Sequence, residues 1–405
     1  FGTPLYIYDN ETLRKRCRAF VEEFRSRHPS TAVAYASKAY INPALAQLLS
    51  EENLGLDVVS GGELAIAQAV NFPAKHVYFH GNNKGRHELE QAIEWGIGRI
   101  VVDGFDELEL LEDVTAKTGK SQEILLRVSP GIDPHTHAKT TTGIIDSKFG
   151  FSIETGAAAR AVRQAIKALH LNLKGLHFHL GSPIFELEPY KSAIDIVLDF
   201  ASGLREDGLN LSELSPGGGF AIAYTEKDRP PTISAYAEAI VSSLKEGCQR
   251  LAIELPQLII EPGRAITGPA GVAIYSVGAV KDIPQIRRYI SVDGGMGDNI
   301  RPALYESAYE AVVANRMLEE ATTVVTIAGK YCESGDILVK DILLPPLQGG
   351  RGDLIAIPAA GAYCPSMASN YNLNPRPAIV VVKDGEARLI RRRETYQDQM
   401  ALDVI

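Results

Sequence analysis

The chain has 405 residues, with 41 Lys plus Arg against 50 Asp plus Glu for a formal net charge of -9, and it is 45% hydrophobic and 22% charged. Such a composition excludes the disordered and fibrous classes and, at ~150 residues per domain, allows two or three domains around a large core. The acidic balance argues against nucleic acid or an anionic lipid surface as partner, because either would repel the average surface, so the expected partner is a small molecule.

In chain order, the opening run Pro4 to Tyr8 is strand-like. Short apolar runs rich in Val, Ile, Tyr and Leu follow at Thr31 to Ala36, Leu56 to Val59, His76 to Phe79, Arg99 to Asp103 and Glu123 to Val128, each leading into a helix-like stretch or a loop. Three more continue the series at Leu173 to His179, Leu211 to Ser215 and Gln257 to Glu261, with amphipathic stretches such as Thr155 to Leu169 and Tyr190 to Glu206 between them. Eight alternating βα units between Thr31 and Arg264 predict an α/β fold, a (β/α)8 barrel of typically ~250 residues, better than an open doubly wound sheet. Pro130 to Gly150 then reads as a long loop after the fifth strand.

From Gly271 onward strand-like runs dominate: Gly271 to Val280, Tyr289 to Val292, Thr322 to Ile327, Leu354 to Ile357, Ala378 to Val382 and Ala387 to Arg391. They predict a mostly β domain, barrel-like or sandwich-like, into which the opening strand pairs. The division expected is a barrel over 25–270 and a β domain over 1–24 and 271–405. The uncharged stretches 265–280 and 354–375 are broken by Gly, Pro, Ser or Asn, and neither offers the ~20 predominantly apolar residues of a spanning helix. Cys17, Cys248, Cys332 and Cys364 are too sparse for a disulfide framework, which points to a reducing compartment and a cytoplasmic location. The chain begins at Phe1 without Met, so a trimmed targeting segment is compatible with it.

Barrel chemistry sits at the C-terminal ends of the strands, where the βα loops converge. There the first strand runs into Ser37-Lys38, the second carries Asp57, the fifth ends near Arg127, and the sixth carries His177-Phe178-His179-Leu180-Gly181-Ser182. The seventh runs into Gly217-Gly218-Gly219 and the eighth into Glu261-Pro262-Gly263-Arg264. A lone lysine is ordinarily a solvated one; a desolvated lysine among strand ends can bond covalently to a carbonyl. The two glycine runs read either as tight turns or as backbone cradles for a phosphate, and together with Lys38 they favour a phosphorylated carbonyl cofactor. His177 and His179, two apart on a strand, face one side. They read as a hydrogen-bonded core pair, as half of a metal site that lacks its carboxylates, or as a ring stacked on a flat cofactor.

With these residues in place the chain resembles the barrel-type (alanine-racemase-like, fold type III) pyridoxal-phosphate-dependent decarboxylases of basic amino acids, and among them the diaminopimelate decarboxylase branch. The resemblance runs from Gly2-Thr3-Pro4-Leu5-Tyr6 to the last β strands. It implies pyridoxal 5'-phosphate held by Lys38 as the Schiff-base lysine, His179 stacked on the pyridine ring and Glu261 paired with the ring nitrogen. It further implies a phosphate held by Ser182, the Gly217-Gly218-Gly219 run, Gly263 and Tyr363, with Asp57, Arg127 and Arg264 nearby, and no metal. The chain departs from the family pattern before the glycine run, where an Asp is usual and this chain has Leu214-Ser215-Pro216, and at Pro183 and Phe220.

The β domain carries Arg301-Pro302-Ala303-Leu304-Tyr305, Cys332-Glu333-Ser334-Gly335-Asp336 and Gly361-Ala362-Tyr363-Cys364. By the resemblance, Cys332 reprotonates the substrate carbanion from a partner subunit, which implies a homodimer with shared active sites. Arg264, Arg301, Tyr305 and Tyr363 would meet the distal carboxylate of meso-2,6-diaminopimelate and Glu333 its distal ammonium, giving L-lysine and CO2; the bland reading of Arg301 and Glu333 is an interface ion pair. The run Asp146-Ser147-Lys148-Phe149-Gly150-Phe151 belongs to the same resemblance. The rivals are a decarboxylase of another basic amino acid or of carboxynorspermidine, a racemase, a metal-dependent hydrolase and a catalytically inactive decarboxylase-like regulator.

Overall fold

A computed structural model describes residues 1–133, 147–349 and 352–404. They form two compact units, one of 16–221 with 230–263, the other of 1–15, 222–229 and 264–405. The expected loop 130–150 and Asp146 therefore fall largely outside the described residues.

In chain order the elements of the first unit follow strand β1 (Leu5–Asp9) and helix α1 (Asn10–Arg25). They are β2 (Thr31–Ala36), α2 (Pro43–Glu51), β3 (Gly55–Val58), α3 (Gly61–Ala69), β4 (Val77–Phe79), α4 (Arg86–Trp95), β5 (Arg99–Val102), α5 (Phe105–Thr118) and β6 (Gln122–Ser129). The series continues with the two-residue β7 (Phe151–Ser152), α6 (Ala157–Lys167), β8 (Leu171–His177), α7 (Glu188–Ser202), β9 (Glu213–Gly217), α8 (Ile233–Leu251) and β10 (Gln257–Ile260). Strands run in the order β5-β4-β3-β2-β10-β9-β8-β6, all parallel, and β6 pairs back onto β5, which closes the barrel that the βα rhythm predicts.

Local chemistry punctuates each unit. Asn42, Ser60 and Thr232 accept the Leu45, Glu63 and Ala235 amides as N-caps of α2, α3 and α8, while Gly96 and Gly119 end α4 and α5 at φ 76 and 66. Inside the barrel Ala34, Tyr78, Val101, Leu125 and Ile259 form one layer, so the short strands read as near-continuous apolar runs. Gly175 is required where β8 meets β9, since a Cβ there would lie 1.8 Å from the Glu213 carbonyl oxygen.

The second unit is a sheet in the order β15-β14-β12-β11-β1-β17-β18, built from α9 (Arg264–Thr267), β11 (Gly271–Ile283), β12 (Arg287–Val292), α10 (Arg301–Tyr305), β13 (Val312–Val313), β14 (Thr323–Ala328), β15 (Ile337–Leu344), β16 (Leu354–Ile357), β17 (Ala378–Lys383), β18 (Glu386–Arg391) and α11 (Tyr396–Met400). The opening strand pairs into it as expected: Leu5 lies opposite Ile274 of antiparallel β11 and Ala378 of parallel β17, and these residues join Val380 and Ile7 in a core cluster. Strand β15 has no counterpart among the sequence expectations, because Lys340 and Asp341 interrupt its apolar run and its burial does not alternate.

Asp298 is 1% exposed in this unit and accepts the Gly295 amide at 3.0 Å and the Tyr331 hydroxyl at 3.5 Å. Burial, with Asp293 and Asp336 adding, outweighs these bonds and pushes its carboxyl up to about 7. The unfolded chain, with an ordinary value near 3.9, loses this proton first, so the contribution to stability is full below about pH 4, declines as pH rises to about 7 and is then constant. Asp298→Asn should flatten that decline in denaturant titrations taken across the interval; a variant with the wild-type slope would assign it to other groups.

Candidate active site at the barrel mouth

All eight barrel strands deliver functional groups to the C-terminal end. Two of these groups are additions to the sequence reading: His80 follows β4 and Asp103 follows β5. The rule that found the other six strand ends applies equally to these, since each is the first polar residue after an apolar run.

Lys38 lies on a single 3-10 turn, Ser37–Ala39, directly after β2. The Tyr35 hydroxyl donates to the Tyr40 carbonyl at 2.6 Å across this turn. The lysine is exposed, not desolvated as expected, because the turn carries it past the last ladder pair of β2. Its charge nevertheless acts on Asp57, His80, His177 and His179, which places it among the strand ends.

Glu261 is the centre of the site. Ser215 donates its hydroxyl to Oε1 at 2.8 Å, His177 Nε2 stands 3.2 Å from Oε2, and His80 Nε2 lies 3.4 Å from Oε1 and 3.7 Å from Asp57 Oδ1. The His80 and His177 rings meet edge-on, with centroids 4.8 Å apart. Asp57 and Glu261 are both buried, yet their environments drive them apart. Burial, reinforced by the Glu261 charge, pushes the Asp57 carboxyl up. Burial alone would also raise Glu261, but His177, His80 and the Ser215 hydroxyl hold it well below the usual carboxylate range. Burial lowers His80, His177 and His179 below the ordinary imidazole value, so neutral rings face the ionised Glu261.

Strand β8 ends at His177, so the expected common face of His177 and His179 does not form. The chain leaves the ladder at Phe178, whose amide donates to the Ser215 carbonyl at 2.8 Å, and His179 Nδ1 accepts the Gly218 amide at 3.3 Å. The expected metal reading fares similarly: His177 groups with His80 and Glu261, within 4.8 Å of one another, and not with His179.

Glycine at 217, 218 and 219 lets three backbones converge. A Cβ on Gly218 would lie 2.1 Å from the Glu261 carbonyl oxygen, and one on Gly219 (φ 104) 2.6 Å from that of Gly181. Gly263 similarly abuts Ala36 at 3.0 Å, so the turn after β10 packs against the end of β2. Ser182 follows Gly181 in the turn that Gly219 touches, and Ile184 donates its amide to the Gly219 carbonyl at 2.8 Å. Arg127 of β6 faces Asp103 at 3.7 Å and stacks on Phe149 at 4.3 Å, while Asp103 accepts the Gly150 amide at 3.0 Å. The run 147–151 thus lies at the barrel mouth.

The second unit holds a separate cationic cluster. Arg264 and Arg301 are both buried, and their guanidinium groups lie 5.8 and 4.6 Å from the Tyr224 ring. Arg264 donates to the Tyr224 hydroxyl and stands 4.6 Å from the Tyr363 ring; Arg301 donates to the Tyr309 hydroxyl, which contacts Cys364 Sγ at 3.4 Å. Tyr224 and Tyr309 escape a sequence reading because only folding brings them beside the arginines. Tyr305 is half-buried on α10. Glu333 is exposed and accepts from Ser334 and the Gly335 amide of its own loop. Cys332 is exposed, its amide bonded to Asn372 Oδ1 at 2.9 Å.

Buried atoms at the mouth, among them Asp57 Oδ1, His80 Nε2, Asp103 Oδ1 and His177 Nδ1, have no hydrogen-bond partner. Unsatisfied polar atoms beside an ionised carboxylate, a reachable lysine and glycine turns fit a flat, phosphate-bearing heterocyclic aldehyde. The class this defines is borne out by sequence: residues 10–268 match the family described as pyridoxal-dependent decarboxylase, pyridoxal binding domain. Diaminopimelate decarboxylase of Bacillus subtilis (strain 168) is 48% identical over 405 residues, all of this chain and 92% of the relative. A solved diaminopimelate decarboxylase from M. jannaschii in co-complex with L-lysine superposes with a TM-score of 0.94 at 36% identity, over 100% of this chain and 93% of that one. A lysine/ornithine decarboxylase from Vibrio vulnificus, complexed with putrescine, gives 0.79 at 25% identity over 95% of each chain. The chain belongs to the diaminopimelate decarboxylase family of pyridoxal-dependent enzymes.

Ser215→Ala removes one of the bonds that keep Glu261 ionised, a charge-assisted interaction worth about 1.5–3 kcal/mol, or roughly one to two pKa units. The acid limb of the kcat–pH profile should move upward accordingly, and a profile superimposable on wild type would count against that role.

Proposed function

We propose that the chain carries out its family's reaction, the pyridoxal-phosphate-dependent removal of one carboxylate from meso-2,6-diaminopimelate to give L-lysine and CO2. The observation that carries this reading is the buried Glu261 just after β10, with the Ser215 hydroxyl on Oε1 and His177 Nε2 3.2 Å from Oε2, on the strand that pairs with β2, whose end bears Lys38. When bound, pyridoxal phosphate supplies the electron sink that accepts the pair left by departing CO2. Lys38 would hold its aldehyde carbon, His179 its ring face, and Ser182, the Gly217-Gly218-Gly219 turn, Gly263 and Tyr363 its phosphate. Asp57 and Arg127 would border it. Glu261 would keep a proton on the pyridine nitrogen, which an un-ionised carboxyl could not attract.

Arg264 and Arg301, with Tyr305 and Tyr363, would orient the distal carboxylate of the substrate. Among the described residues the groups facing Arg301 are phenols and a thiol, and a buried guanidinium with no carboxylate among them calls for an anionic ligand. Glu333 would meet the distal ammonium, and Cys332 from a second copy of the chain would return a proton to Cα, which makes a homodimer the working unit. On this reading the barrel over 25–270 carries the cofactor, and 1–24 with 271–405 carries specificity and interface residues. None of the four cysteines is in a disulfide, which supports a reducing, cytoplasmic setting. Among the described residues no helix is long and apolar enough to cross a membrane.

Lys38→Ala should abolish the visible absorbance of the bound cofactor together with turnover; retention of both would overturn the assignment. Arg301→Ala should lower kcat/KM for diaminopimelate about ten- to a hundredfold, as expected for loss of a charge-assisted contact. Following CO2 release from diaminopimelate, ornithine, lysine and arginine checks the substrate, and an enzyme equally active on ornithine would refute it.

A further inference from the structure

His80 is a buried imidazole whose Nε2 makes no hydrogen bond, although it stands 3.4 Å from one carboxylate and 3.7 Å from another. A buried donor left unsatisfied ordinarily costs about 1–3 kcal/mol, so its retention between Asp57 and Glu261 calls for a function. The backbone at His80 is tied down by its amide, which donates to the Val58 carbonyl at 2.8 Å, and the ring packs edge-on against His177. The titratable and charged groups facing it are Asp57 on β3, Glu261 after β10, His177 on β8, Lys38 after β2 and Arg127 on β6.

We propose that His80 is a positioning residue for Glu261: its imidazole, wedged between the Asp57 and Glu261 carboxylates, donates from Nε2 to Glu261 and keeps that carboxylate ionised and oriented toward the pyridine nitrogen of pyridoxal phosphate. The inference rests on the cofactor reading above. Two buried carboxylates this close to one imidazole compete for its single Nε2 proton. The bonds from Ser215 and His177 already favour the charged form at Glu261, whereas Asp57 Oδ1 has no hydrogen-bond partner. The Nε2 proton therefore goes to Glu261 and leaves Asp57 the carboxyl that holds its own proton. Hydrogen bonds at catalytic groups are often long without substrate or cofactor and tighten when these bind, which matches a contact of 3.4 Å. A neutral hydroxyl and two imidazoles surround Glu261.

Three measurements test this on the full chain. In the cofactor-free protein, nitrogen NMR of labelled histidine should show His80 neutral with its proton on Nε2 to well below pH 6.5, the ordinary histidine value; a ring protonated near that pH overturns the proposal. In the loaded enzyme, His80→Leu should raise the pH at which the bound cofactor's absorbance and kcat change by about one unit. It should weaken equilibrium pyridoxal phosphate binding about tenfold, as for loss of one bond to a charged group. His80→Gln, whose amide reaches the Nε2 position, should recover most of both, so rescue by Gln separates positioning from mere packing. Equal losses in Leu and Gln with an unmoved pH profile would reduce His80 to a packing residue. Should His80→Leu not fold, the pH profile of His80→Gln against Ser215→Ala decides: positioning predicts a smaller shift for Gln. A wild-type chain that binds no pyridoxal phosphate would sink the cofactor reading and this inference with it, which sets that failure apart from a failure of His80 alone.

Discussion

An ionised carboxylate in a dry interior is costly unless neighbours donate to it, and Glu261 meets that condition through Ser215 and His177, with His80 Nε2 standing 3.4 Å away. These groups come from β9, β8 and the turn after β4, so the charge can exist only if the barrel closes in correct register. Asp57, a residue away in space and equally buried, is pushed the opposite way. A site with one carboxyl held charged and one held protonated is the arrangement that acid–base assignments at neutral pH require.

Closure itself depends on places where side chains are absent. Gly175, Gly218 and Gly219 sit where a Cβ would fall within 2.6 Å of a backbone oxygen. Glycine therefore sets how near the β8, β9 and β10 ends approach, and this in turn sets the reach of Ser215 and His177 to Glu261. The glycine-rich turns thus serve the carboxylate as well as any phosphate, and a reading of them as plain turns or as plain cradles captures only half of their role.

In the second unit the organising element is Tyr224, whose ring attracts both Arg264 and Arg301. Both guanidinium groups are buried against phenol rings, and a guanidinium fork suits planar anionic ligands. Glu333 bonds within its own loop and leaves Arg301 to the tyrosines.

The alternation of short β-branched runs with amphipathic stretches was enough to place all eight barrel strands to within about two residues, because parallel strands buried on both faces carry that signal in one dimension. The polar ends of the strands, Lys38, Asp57, Arg127, His177 and Glu261, were legible for the same reason. Strand β15 was not, since Lys340 and Asp341 break its pattern, and the separation of His177 from His179 was not, since a ladder's last residue depends on its neighbour. Composition and periodicity alone thus determined the fold class and six of the eight strand ends that reach the barrel mouth. Only the tertiary structure decided which carboxylate is charged, which histidine serves it and which tyrosines hold the arginines, because each of these depends on distances between residues far apart in the chain and on the water their approach expels.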